Sequence, residues 1–145
     1  MKIMFVCTGN TCRSPMAHAF MLDMLAKYNV DDVEVDSAGL YCEEGAPISE
    51  YSKKALEHYD IEFSHESKPL TKEDIDTFDY IICMTASHKR ALEDIVPKEK
   101  LFTMDDFTKK GDISDPYGQS LEVYLKTAEQ IKSAISDIIS KILSK

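Results

Sequence analysis

An open α/β sandwich, with helices on both faces of a four-stranded parallel sheet, is the fold this sequence predicts. Three observations lead there. Strand-like apolar runs and segments of helical period alternate along the whole chain. The run Asp79 to Met84 is apolar on both faces, as a central parallel strand must be. The chain has 145 residues, 43% of them apolar, with no internal repeat and no linker-like stretch. One core and one domain, residues 1–145, follow as the expectation.

Lys2 to Val6 (Lys-Ile-Met-Phe-Val) reads as a buried strand ending at a Gly-containing turn. Ser14 is a suitable N-cap and Pro15 fits the first helical position, so a helix is expected from there to about Tyr28. Its apolar face is Ala17, Phe20, Met21, Met24, Leu25 and Tyr28. Val33 to Ser37 is a second strand, closed by Ala38-Gly39, and a helix is expected from about Ser49 to Tyr59. Thr71-Lys72-Glu73-Asp74 has the form of a capping start for a short helix ending near Phe78. The strand Asp79 to Met84 precedes a helix from about Ser87 to Val96, which Pro97 ends. Leu101 to Thr103 is a fourth strand and Met104 to Gly118 a long polar connection. The last helix runs from about Ser120 to Leu143, with Leu121, Tyr124, Leu125, Ala128, Ile131, Ile135, Ile138 and Ile142 in one stripe.

Charge and cysteine usage narrow the function. A net charge of −9 argues against nucleic acid and anionic membranes as partners. No apolar stretch approaches membrane-spanning length and the first residues enter a strand rather than a signal peptide, so a cytoplasmic protein is expected. Cys7, Cys12, Cys42 and Cys83 lack a Cys-x-x-Cys pair, which speaks against a zinc site, and they do not form a secreted disulfide framework. Cys42 reads as a loop thiol and Cys83 as a small buried strand residue.

The remaining pair, Cys7 and Cys12, lies in Val6-Cys7-Thr8-Gly9-Asn10-Thr11-Cys12-Arg13-Ser14-Pro15, between the first strand and the first helix. Cys-x5-Arg alone is a weak pattern. Its setting makes it informative, because loop amides from Thr8 to Arg13 and the positive end of the following helix can converge on one dianion. The same groups favour the thiolate of Cys7, and the Ser14 hydroxyl is placed to donate to that sulfur. Gly9 and Asn10 tolerate the positive φ that a loop this tight would need. Arg13 is one of only two arginines, against fifteen lysines, and its planar fork suits two phosphoryl oxygens. Read blandly, the same residues are a small buried Cys and a surface Arg; a structural loop gains nothing from the combination.

Thiolate attack on phosphorus also needs a proton donor for the leaving group. Asp115, in Asp115-Pro116-Tyr117-Gly118, is the candidate, with Tyr117 at the mouth. On the tetrapeptide alone, an ordinary type I turn is the simpler reading. Asp105, Asp106 and Asp112 are rivals, read as solvated loop charges. In parallel sheets ligands bind beyond the carboxyl ends of the strands, where both the Cys7–Arg13 loop and the Asp-rich stretch would lie.

Over essentially its full length the chain resembles the low-molecular-weight protein-tyrosine-phosphatase family, on Val6 to Pro15, on Ser37-Ala38-Gly39 and on Asp115-Pro116-Tyr117. The resemblance implies a flavodoxin-like sheet and a metal-free, cofactor-free reaction through a phosphocysteine. It makes Cys7 the nucleophile, Arg13 the phosphate clamp and Asp115 the general acid. Thr8, Gly9, Asn10, Thr11, Cys12, Ser14 and Tyr117 would bind phosphate or substrate. Asn10, Ser14 and His65 would hold the loop, and Cys12 would be the reversible redox partner of Cys7. The implied partner is a phosphorylated protein substrate, and a monomeric enzyme is expected. Thr11 stands where many phosphotyrosine-directed relatives carry Ile or Leu, and Gly118 stands where many carry a second aromatic. The loop is similar to the protein-arginine-phosphatase branch, so phosphoarginine is expected, with phosphotyrosine as the alternative. An arsenate reductase would need two further cysteines in a mobile segment. A non-catalytic phosphate-binding module would typically lack Cys7, Arg13 or Asp115.

Overall fold

A computed structural model describes residues 1–143. Strands β1 (Lys2–Cys7), β2 (Glu34–Gly39), β3 (Tyr80–Cys83) and β4 (Leu101–Thr103) form one parallel sheet in the order β2-β1-β3-β4. After β1 the chain adds β2 on one side, then returns to place β3 on the other. The strand order therefore reverses at β1, and a crevice opens beyond its carboxyl end, at Cys7.

Side-chain alternation along β1 divides the core. Ile3, Phe5 and Cys7 face a layer that includes Met16 and Phe20 of α1 (Arg13–Lys27), Leu56 of α2 (Glu50–His58) and Ile131 and Ile135 of α6 (Leu121–Leu143). Met4 and Val6 face the other layer, with Ile75 of α3 (Lys72–Thr77) and Leu92 of α4 (Ala86–Leu92). Of the stripe expected on α6, Tyr124, Ala128, Ile131, Ile135, Ile138 and Ile142 are buried, while Leu121 and Leu125 are half-buried at its edge.

Several sequence expectations need correction. α1 begins at Arg13 with Cys12 as its N-cap, so Ser14 is inside the first turn, fully buried, and does not cap. Tyr28 lies beyond the helix and is 65% exposed, so the apolar face ends with Leu25. β2 runs on through Ala38 and Gly39, in register with Val6 and Cys7. α4 stops at Leu92 rather than Val96. The connection after β4 contains a further helix, α5 (Met104–Thr108), started by a capping box in which Thr103 and Asp106 satisfy each other's backbone N–H.

Candidate active site

The loop between β1 and α1 is held from outside by its carbonyl groups. Leu40 N–H donates to Cys7 O (3.0 Å), Tyr41 N–H to Thr8 O (3.0 Å) and Ser49 N–H to Thr11 O (2.9 Å). His65 Nε2 donates to Asn10 O at 2.8 Å. With the carbonyls turned outward, the amides of Gly9 to Cys12 donate to no other group among the described residues. Alternation of the peptide dipole leaves them facing the opposite side, which is an anion cradle at a helix N-terminus.

Asn10 is the keystone of that loop. It is fully buried at φ 56°, donates Nδ2–H to Ser14 Oγ (2.8 Å) and accepts from Lys68 N–H (3.1 Å). Because Asn10 supplies a donor to Ser14 Oγ, the single Ser14 proton is free for the Cys7 sulfur, 2.9 Å away. Asn10 alone takes the positive φ in this loop; Gly9 does not. Glycine is required instead at Gly39, where a Cβ would meet Cys42 Sγ at 2.7 Å and Thr8 O at 2.8 Å. The end of β2 has to pass this close to support the loop.

Arg13 is buried, its side chain 6% exposed, and it is aimed by the loop before α6. Its Nη1 donates to Ile113 O at 3.0 Å, while Ile113 N–H donates to Met84 O beyond β3, also at 3.0 Å. The guanidinium is thus tied to the sheet through one backbone unit, and its Nη2 stands 3.6 Å from Asp115 Oδ2. Asp115 is exposed and stands just before a turn at Tyr117–Gly118, closed by Gln119 N–H donating to Pro116 O at 3.0 Å; its own Oδ1 accepts from Tyr117 N–H at 3.1 Å. The turn and the site placement coexist. The rivals keep contact with solvent but each also carries a structural bond: Asp105 accepts from Gly111 N–H, Asp106 caps α5, and the exposed Asp112 accepts from Ala86 N–H. Cys7, Thr8, Gly9, Thr11, Cys12, Arg13, Asp115 and Tyr117 line one cleft of about 250 Å³. Asn10, Ser14 and His65 stand behind it as the second layer of the loop.

Burial, opposed by the bond to Asn10, lowers the pKa of His65, which keeps it a neutral donor. Cys12 is buried with its Sγ 3.4 Å from Ser49 Oγ and 3.5 Å from Tyr124 OH. Burial, and next to it Cys12, pushes the Tyr124 phenol up to about 12. Cys83 is fully buried in β3, and that burial drives its thiol up to about 12. Among the described residues no group of three or more His, Cys, Asp or Glu could hold a metal ion, and no helix is long and apolar enough to cross a membrane.

Sequence reasoning passed over Ser49, Tyr124, His18 and His88. His88 Nε2 is 2.9 Å from Thr8 Oγ1, and His18 packs edge-on to Phe63 and His65 beneath the loop. Ser49, His88 and Tyr124 reach the site from distant parts of the chain, and His18, one turn after Ser14 on α1, meets its partners Ser37, Phe63 and His65 only through the fold.

This geometry has close counterparts. Residues 2–145 match the family model for the low molecular weight phosphotyrosine protein phosphatases. A protein-arginine-phosphatase of Geobacillus stearothermophilus is 39% identical over 145 residues, covering 97% of this chain and 95% of the relative. A low molecular weight protein tyrosine phosphatase from T. tengcongensis superposes with a TM-score of 0.92 at 41% identity, over 98% of this chain and 99% of that one. A cysteine-to-serine mutant of the YwlE arginine phosphatase, with a phosphorylated active-site serine, superposes with a TM-score of 0.94 at 31% identity, over 100% and 97% of the two chains. The chain belongs to the low molecular weight phosphotyrosine protein phosphatase family, and it is a cysteine-dependent protein phosphatase.

Proposed function

We propose that this phosphatase cleaves phosphoarginine in proteins through a phosphocysteine on Cys7. The Cys7 thiolate attacks phosphorus and the P–N bond breaks. The leaving guanidino nitrogen takes a proton from Asp115. Water then attacks the phosphocysteine, gives its proton to Asp115, and releases Cys7 and inorganic phosphate. Loop amides and Arg13 neutralise the equatorial oxygens, and a dianion seated on Arg13 satisfies the guanidinium and frees Asp115 to follow the leaving atom. Ser14 donates to the sulfur in its thiolate form, both before attack and as it leaves.

Thr11 carries the choice of substrate. It lines the cleft, and its hydroxyl has only a weak neighbour, Cys12 Sγ at 3.8 Å. That hydroxyl can accept from a guanidinium N–H, and the exposed Asp115 can pair with the positive group, whereas a phenyl ring would be better served by an aliphatic wall. The 39% identical arginine phosphatase supports the same direction. Phosphotyrosine is the second reading, favoured by the exposed Tyr117 ring at the cleft and by the similarity to a tyrosine phosphatase at 41% identity. Arsenate reduction is disfavoured by the burial of Cys83, which leaves Cys42 without a second exchangeable thiol.

Cys12 completes the reading as a redox partner. Peroxide oxidises Cys7 to the sulfenic acid, and Cys12 displaces water to form a disulfide that thiols later reduce. The four free cysteines suit a reducing, cytoplasmic setting. The test compares phosphoarginine and phosphotyrosine peptides on wild type and Thr11→Ile. Wild type should favour phosphoarginine and the variant should shift toward phosphotyrosine. A wild-type preference for phosphotyrosine overturns the reading, and an unchanged preference in the variant removes Thr11 as the selector. Cys7→Ser should be inactive.

A further inference from the structure

His88 lies on α4, 80 positions along the chain from Thr8, and does not line the cleft. It nevertheless touches the site. Its Nε2 and Thr8 Oγ1 are 2.9 Å apart, and the residue is 6% exposed. Among the described residues, its Nδ1 is the buried side-chain nitrogen or oxygen left without a hydrogen-bond partner. The main chain fixes where the ring stands, because Thr85 Oγ1 accepts from His88 N–H and Asp112 Oδ1 from Ala86 N–H.

The proton can sit in three ways. On Nδ1 it would be an orphaned buried donor, and Thr8 would have to spend its own proton on Nε2. On both nitrogens it would leave the same orphan and add a cation near Arg13. On Nε2 alone, the N–H is satisfied by Thr8 Oγ1 and Nδ1 keeps a lone pair; buried acceptors lacking a partner are better tolerated than buried N–H groups. We infer that His88 is a positioning residue for anion binding, a neutral imidazole that donates from Nε2 to Thr8 Oγ1 and so turns the Thr8 hydroxyl proton into the cleft. A hydroxyl has one proton, so accepting from His88 leaves that proton for a phosphoryl oxygen. Burial first, and the Arg13 guanidinium second, bring the His88 pKa down to about 4, which keeps the ring neutral in ordinary buffers. The relay acts on the phosphoryl group and is the same for phosphoarginine or phosphotyrosine.

Two measurements on the full chain test this. A long-range 1H–15N correlation spectrum of the histidine rings at pH 7 should show His88 neutral and protonated on Nε2; an Nδ1-protonated or doubly protonated ring overturns the proposal. Orthovanadate inhibition and p-nitrophenyl phosphate hydrolysis are then compared in His88→Leu, His88→Gln, Thr8→Val and the His88→Leu/Thr8→Val double variant. His88→Leu should weaken vanadate binding and raise KM by about tenfold, the usual cost of a lost hydrogen bond to a charged group. His88→Gln, which keeps an N–H at similar reach, should recover most of that loss, and the double variant should be no worse than Thr8→Val. Equal damage from Leu and Gln, or additive losses in the double variant, overturns the relay. If His88→Leu fails to fold, the ring tautomer and vanadate binding by His88→Gln decide; binding as weak as in Thr8→Val then overturns it. The spectrum and vanadate binding need no turnover, so they stand apart from any failure of the substrate assignment.

Discussion

Asn10 shows how much one side chain does here. It holds a left-handed backbone, donates to Ser14, accepts from Lys68 N–H, and its carbonyl receives His65. Asn10→Ala should cost about 2–4 kcal/mol in urea unfolding, from the strained dihedral and the unpaired partners together. Its kcat should fall more than its KM rises, because the Ser14 proton is no longer reserved for Cys7. Asn10→Gly should recover the dihedral part of the stability and none of the activity; recovery of both would show that the side chain is not the orienting element. Gly39→Ala is a matched test from the outside of the loop. Cys42 Sγ can swing away from the new methyl, but Thr8 O is pinned by Tyr41 N–H at 3.0 Å. A loss of about 1–3 kcal/mol is expected. Adding Cys42→Ala should restore little of it if the backbone contact is the cause.

Among the elements, those with strong periodicity or apolar runs were legible from residues alone. β1, β3 and α6 were read to within a residue or two, and the Asp115 loop was placed at the right end of the sheet. The failures have separate causes. α5 has five residues, too short for any period to show, and its capping box sits in a run of aspartates that reads as polar loop. Ser14 has the composition of a cap, but the Cys7 sulfur and Asn10 claim its hydroxyl, so the cap moves back to Cys12. The loop from Lys109 to Ser120 is an element in its own right, tied to β3 by Ile113, to α4 by Asp112 and to Arg13 by the Ile113 carbonyl. Asp112→Ala releases the α4 tie and should cost about 1 kcal/mol, as loss of a cap does. It should also loosen Asp115. Turnover of phenyl phosphate, which needs a proton for its leaving group, should then fall several-fold more than turnover of p-nitrophenyl phosphate. Equal losses on the two esters would show that Asp112 supports the fold alone.

At the scale of the whole molecule, the second-layer histidines link the site to global stability. Burial, against an opposing pull from Asp36, lowers the His18 pKa from 6.5 to about 4; burial and then Arg13 lower that of His88 to about 4, and burial also lowers that of His65. All three are bases whose charged form is disfavoured in the folded state. Above pH 6.5 they are neutral in both folded and unfolded chains and contribute no pH dependence. As pH falls below 6.5 the unfolded chain takes up protons that the folded one refuses, so stability is lost progressively toward pH 4. The combined loss is on the order of a few kcal/mol, with carboxylate protonation adding to it only at the acid end of the range. Urea midpoints measured from pH 8 to pH 5 should be flat down to about 6.5 and then decline. His88→Gln carries no titrating ring and should shallow that decline without abolishing it, whatever its absolute stability. A midpoint that rises on acidification would mean that the folded chain binds the protons instead, which the burial of these rings beneath the phosphate loop does not permit.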